Sequence, residues 1–187
     1  MRMTRLAALA LAGAASPLAA ATHEVAAGDG AQTRLQEALI LAQPGDEVVL
    51  GAGRFAIGDG LSLDVDRVTV RGAGMDATIL DFTGQAGSGE GLLVTSDGVT
   101  LRDFAIENPK GDGIKSKGAD NIVYYRIRVE WTGGPRETNG AYGIYPVEST
   151  GVLVTKVIRV KEGASSPWVV VDAAMNDLAR PAMYDAW

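Results

Sequence analysis

Gly91-Leu92-Leu93-Val94-Thr95-Ser96-Asp97-Gly98-Val99-Thr100-Leu101-Arg102-Asp103-Phe104-Ala105-Ile106 decides the reading of the fold, because the chain restates it. A second copy begins Gly113-Ile114-Lys115-Ser116 and continues Asp120-Asn121-Ile122-Val123-Tyr124-Tyr125-Arg126-Ile127-Arg128-Val129. A third begins Gly143-Ile144-Tyr145-Pro146 and runs through Thr150-Gly151-Val152-Leu153-Val154 to Val160. Each copy is a glycine and an apolar residue, then a turn, then two more short apolar runs. Gly91 to Gly113 is 22 residues, the length of one coil of three short strands. Gly113 to Gly143 is 30, so eight residues are inserted within residues 131–142. A unit this short buries its apolar set only against its neighbours, so the copies must stack. Stacking superposes Leu92, Ile114 and Ile144, and likewise Val99, Ile122 and Val152. The pattern predicts an all-β fold, a right-handed parallel β-helix (solenoid). An antiparallel sandwich would want hairpin turns and would not need the glycine phase to recur. A βαβ fold would want helices, and no helical period is visible between residues 46 and 160.

Toward the N-terminus the period changes. Thr33-Arg34-Leu35-Gln36 fits a capping box, and Leu35, Ala38, Leu39 and Ala42 make one apolar helical face. Pro44-Gly45-Asp46 ends this segment. It is expected to be a short N-terminal capping helix that covers the otherwise unpaired strands of the first coil. Before it, Arg2 and Arg5 form a basic start, residues 6–15 are apolar, Ser16-Pro17 breaks the run and Ala19-Ala20-Ala21 offers a cleavage site. That is the pattern of a signal peptide over residues 1–21, with a periplasmic or secreted product that keeps no membrane span. The expected organisation is a signal peptide at 1–21, a capped β-helix at 22–160, and a C-terminal tail at 161–187. The glycine phase is lost in that tail, so it is expected to be an improvised cap, a truncation or a frame-altered end.

Cysteine is absent, which excludes disulfides and thiolate metal sites. The net charge is −6, and removing Arg2 and Arg5 takes it to −8. An acidic chain argues against nucleic acid, whose binding rests on neutralising phosphates. A local basic cleft for an anionic polymer is still compatible with it.

With its repeats aligned, the sequence resembles the bacterial parallel β-helix repeat proteins of the pectate-lyase-like superfamily. The segments that carry the likeness are Gly28-Asp29-Gly30, Pro44-Gly45-Asp46, Asn108-Pro109-Lys110-Gly111-Asp112-Gly113-Ile114 and Asn139-Gly140-Ala141-Tyr142-Gly143-Ile144-Tyr145-Pro146. The superfamily includes polysaccharide lyases, hydrolases and, more distantly similar here, mannuronan C5-epimerases. The epimerase motif Tyr-Gly-(Phe/Ile)-Asp-Pro-His-Asp is matched at Tyr142, Gly143, Ile144 and Pro146. Tyr145, Val147 and Glu148 replace its Asp, His and Asp, so the groups that would move protons are missing.

Candidate chemistry follows from the outward strand positions. With Ile114 pointing in, Lys115 and Lys117 share a face, and Tyr145 of the next copy lies over Lys115 with Tyr142 nearby. β-Elimination on a uronic acid needs a base, for which Lys or Tyr serves, and cations for the carboxylate. Lys115, Tyr142 and Tyr145 are therefore the candidate catalytic residues, and Lys110, Lys117, Trp131, Arg136 and Glu148 the candidate substrate-binding ones. The bland alternative is a solvated sheet exterior of cross-strand pairs. No cofactor is expected. Asp112, Asp120, Asn121 and Glu148 could serve calcium, but no ligand spacing supports it. His23, the single histidine, cannot build a zinc site. The expected function is binding of, or association with, extracellular polysaccharide. The alternatives are lyase or epimerase action on polyuronates, or an inactive truncated copy. The expected partner is an anionic polysaccharide or an exported protein.

Overall fold

The computed structural model describes residues 19–87, 89–155, 160–162 and 167–169. Its elements are β1 (Thr22–Val25), α1 (Ala31–Leu41), β2 (Glu47–Leu50), β3 (Gly53–Ala56), β4 (Leu61–Leu63), β5 (Thr69–Arg71), β6 (Thr78–Asp81) and β7 (Leu92–Val94). There follow β8 (Thr100–Glu107), β9 (Ile114–Lys117), β10 (Val123–Glu130), β11 (Ile144–Val147), β12 (Leu153–Thr155), β13 (Val160–Glu162) and β14 (Pro167–Val169). One sheet runs β1-β2-β5-β8-β10-β12, with β3-β6 joined to it through β8, and a second runs β4-β7-β9-β11. Every pairing in these two sheets is parallel. β13 and β14 pair antiparallel.

Register follows the sequence repeat. Leu92 pairs with Ile114 and Ile114 with Ile144. Val99, Ile122 and Val152 sit at one level of successive turns, through Val123 N–H to Val99 O and Leu153 N–H to Ile122 O, both 2.9 Å. These apolar residues form one continuous core with Phe55, Phe82, Leu101, Phe104 and Ile106. Burying such a side chain is worth about 1.5–3 kcal/mol, which is why runs of three to five residues suffice as strands when stacked.

Two local devices set the stacking. The first is glycine at close approach. A Cβ on Gly113 would lie 2.5 Å from Gly143 O and against Val129, so the backbones approach too closely there for any side chain. The second is a turn repeated at Asp66-Arg67-Val68, Asp97-Gly98-Val99, Asp120-Asn121-Ile122 and Thr150-Gly151-Val152. Its middle residue is left-handed each time, with φ of 56°, 68°, 57° and 63°. Gly and Asn take that conformation readily. Each aspartate accepts the backbone N–H of the next turn: Asp97 N–H to Asp66 at 2.9 Å, Asp120 N–H to Asp97 at 2.8 Å and Thr150 N–H to Asp120 at 2.7 Å.

α1 buries Leu35, Ala38 and Leu39, and Ala42 just beyond it is buried too. It does not start at Thr33: its N-cap is Gly30 at φ 69°, with no side-chain cap. The capping box is therefore absent. Gln36 bonds to β4 instead, donating to Ser62 O at 3.0 Å and accepting from Ser62 N–H at 2.9 Å. Among the described residues no helix is long and apolar enough to cross a membrane.

Candidate functional site

β4, β7, β9 and β11 align Ser62, Leu93, Lys115 and Tyr145 in one outward column. Strand alternation buries Ile114 and Ser116 and turns Lys115 and Lys117 outward. Lys115 Nζ donates to Glu90 Oε1 at 2.7 Å and lies 5.8 Å from the centre of the Tyr145 ring. Tyr145 stacks on Tyr142, with centroids 4.3 Å apart and planes 17° from parallel. Asp112 Oδ1 accepts the Tyr142 backbone N–H at 3.1 Å. The hydrogen bond from Lys115 holds the Glu90 carboxyl below its ordinary range, and the same contact holds Lys115 above its own. A lysine so paired is a cation at neutral pH and offers no lone pair.

The other candidates are scattered. Lys110 Nζ donates to Ala86 O at 3.1 Å, and Trp131 Nε1 donates to Pro109 O at 2.7 Å, which anchors the inserted loop. Lys117, Arg136 and Glu148 are exposed, Glu148 at a φ of 53°. The structure thus brings Lys115, Tyr142 and Tyr145 together and adds Glu90 and Asp112. The calcium candidates are not gathered: Asp120 Oδ1 is occupied by the backbone and hydroxyl of Thr150. Among the described residues no group of three or more His, Asp or Glu side chains could hold a metal ion. Beside Glu90 lies an open hollow of about 210 Å³ whose wall includes Asp59, Ser62, Gln85 and Glu90 and no lysine or arginine.

Two arrangements went unread in the sequence. His23 Nε2 lies 2.9 Å from Asp46 Oδ2, and Asp46 also accepts the N–H groups of Gln43 and Ala21. The His23 contact, then those two amides, bring the Asp46 carboxyl down to about 2. On the outer sheet, Arg54 bridges Asp81 and Glu107, and Arg128 bridges Glu107 and Glu130. The periodic Asp-x-(Val/Ile) triplets were a signal available for the turn ladder. Nothing in the local sequence marks the His23–Asp46 pair.

Residues 77–187 match the family model of the pyridoxal-dependent decarboxylase C-terminal sheet domain. The chain belongs to that family. Among curated relatives, the diaminopimelate decarboxylase of Zymomonas mobilis is 54% identical over 41 residues, 22% of this chain and 10% of that protein. That of Neisseria meningitidis serogroup A is 56% identical over 41 residues, with the same shares, and that of Pseudomonas fluorescens 51% over 45 residues, 24% and 11%. The chain spans about a tenth of the length of the curated relatives it matches. Among solved structures, an alginate lyase from Paenibacillus sp. aligns at 19% identity over 72% of this chain and 65% of that one. Its TM-score is 0.46, below the level from which a shared fold is argued.

These findings correct the sequence reading. The resemblance to parallel β-helix repeat proteins and C5-epimerases gives way to the decarboxylase family. The all-β right-handed solenoid gives way as the class of the chain. The described residues form parallel sheets and one helix, the chain carries a decarboxylase sheet domain, and within the matched residues β13 and β14 pair antiparallel. Short Val/Ile/Leu runs between glycines specify buried strands, but they do not specify to which family the strands belong. Polysaccharide binding and its lyase or epimerase alternatives give way to the decarboxylase family. The family implies pyridoxal phosphate, in place of the expected absence of a cofactor with calcium as the one alternative. The periplasmic or secreted localisation conflicts with relatives that are diaminopimelate decarboxylases. Residues 1–18, on which most of the export reading rests, lie outside the described residues.

Pyridoxal phosphate requires an amine free to bond its carbonyl carbon and a donor-rich cradle for a phosphate dianion. Lys115 is committed to Glu90, and the adjoining hollow presents Asp59 and Glu90 where a phosphate would need cations. At the α1 N-terminus, the Arg34 guanidinium is engaged by Asp29 O and Ala26 O. The described residues do not fit the cofactor.

Proposed function

We propose that the chain carries part of a diaminopimelate-decarboxylase-type sheet domain and does not decarboxylate by itself. The supporting observation is one of extent. The matched relatives are covered over only 9–11% of their length, and the described residues offer neither a free lysine in a cleft nor a phosphate cradle. In this reading Lys115, Tyr142 and Tyr145 hold the β9–β11 face together. The ion pair with Glu90 ties β9 to the turn before β7, and the ring stack ties β11 to the inserted loop. The test is release of labelled carbon dioxide from carboxyl-labelled diaminopimelate, with the full chain and added pyridoxal phosphate. The expected result equals the rate with cofactor alone. Release that rises with protein concentration and saturates in cofactor would overturn the proposal.

A further inference from the structure

On a chain of net charge −6, two arginines of the outer sheet are short of carboxylate. Arg71 pairs with Glu47, Arg54 with Asp81 and Glu107, and Arg128 with Asp76, Glu107 and Glu130. Arg102 and Arg126 instead share the single carboxylate of Asp103. The backbone makes this sharing possible. Register pairs Arg102 with Tyr125 and Phe104 with Ile127, and skips Asp103 and Arg126 between them. Both skipped residues are left-handed, at φ 62° and 50°, so the strand alternation breaks there. Tyr125 and Arg126, neighbours in the chain, therefore meet on one face.

Asp103 is buried, while the side chains of Arg102 and Arg126 keep 38% and 43% of their surface exposed. Arg102 Nε donates to Asp103 Oδ2 at 2.6 Å, and Arg126 Nη2 pairs with Asp103 Oδ1. Among the described residues Arg126 Nε, shut off from solvent, has no hydrogen-bond partner. The two guanidinium carbons lie 5.5 Å and 4.8 Å from the centre of the exposed Tyr125 ring. The ring is thus spent on orienting two cations rather than on stacking a ligand. Arg71 stands in the same column, paired in register with Arg102 as Arg102 is with Tyr125. Three adjacent strands carry guanidinium donors over about 10 Å.

We propose that this strip, with Arg71, Arg102 and Arg126 around Tyr125, is a docking surface for an extended acidic peptide of a partner protein. Charge complementarity carries the proposal. Three guanidiniums face only two carboxylates, Glu47 and Asp103, and the N–H groups left over form planar forks that match a carboxylate. Alternate side chains of an extended peptide stand about 7 Å apart, within the length of the strip. The acidic remainder of the chain repels such a segment, so the strip fixes where it docks. Cofactor binding by the full chain would remove the proposal above and leave this one standing.

Fluorescence anisotropy of fluorescein-labelled hexaglutamate, titrated with the full chain, tests it. Saturable binding is expected, weakened at least about tenfold by R102Q and by R126Q. R67N removes a charge from an exposed left-handed turn that asparagine accommodates, and should change affinity by less than about twofold. R126K keeps the charge and loses the fork, so it should weaken binding at least about threefold; it is the variant to read if R126Q unfolds. No saturable binding to the wild type, equal losses in R67N and R126Q, or unchanged binding in R126K would overturn the proposal. So would equally tight capture of a labelled uronic-acid hexamer, or self-association of the chain that R126Q abolishes, since either gives the strip a different occupant.

Discussion

The body up to Thr155 and the segment beyond it arrive at strands by different routes. In the body, each strand is specified by its copy in the next turn: Leu92 over Ile114 over Ile144, with Asp66, Asp97 and Asp120 accepting amides up the ladder. Beyond it, β13 and β14 pair antiparallel with each other. The difference teaches that internal repetition and kinship are separate signals. Repetition reports which backbones stack, and kinship reports where a sequence came from.

The sharpest way to break the body is to charge its core. Ile122 is fully buried, so I122D places a carboxylate where nothing pairs with it. A loss of about 4 kcal/mol or more is expected, seen as collapse of the thermal transition in circular dichroism. G113A comes next, because its Cβ would press on Gly143 O and Val129. It should cost about 1–3 kcal/mol in denaturant unfolding. S116A leaves the Tyr124 hydroxyl buried without the 2.9 Å bond it now makes. A loss of about 1–3 kcal/mol is expected, and a milder result would mean that water replaces the serine.

Smaller effects separate the ends of the body from its middle. Asp46 titrates at about 2 in the fold against 3.8 unfolded, so its stabilisation is present above pH 3.8 and lost as pH falls toward 2. D46N should flatten unfolding stability across that window and leave its slope elsewhere unchanged. K115A removes a half-exposed ion pair with Glu90 and should shift stability by less than about 1 kcal/mol.

Legibility followed the same division. The stacked pairs Leu92–Ile114 and Lys115–Tyr145 could be read because period and glycine phase fix register. The helix face Leu35, Ala38, Leu39 and Ala42 could be read from its spacing, but the helix start could not, since Gly30 supplies the cap by conformation alone. Lys115 was read as an available base because sequence spacing does not reveal Glu90, 25 positions earlier, at its ammonium group. The His23–Asp46 contact is not legible in the sequence, because Asp46 is brought to His23 by the parallel pairing of β1 with β2. Family and cofactor were not legible from the repeats, because stacking fixes register and burial without specifying descent.

Equilibrium dialysis of pyridoxal 5′-phosphate against the full chain tests most directly whether the family relationship brings a cofactor site with it. The expected result is no stoichiometric binding, and no difference between wild type and K115A. One cofactor bound per chain, lost in K115A, would place the site on the body and contradict the account.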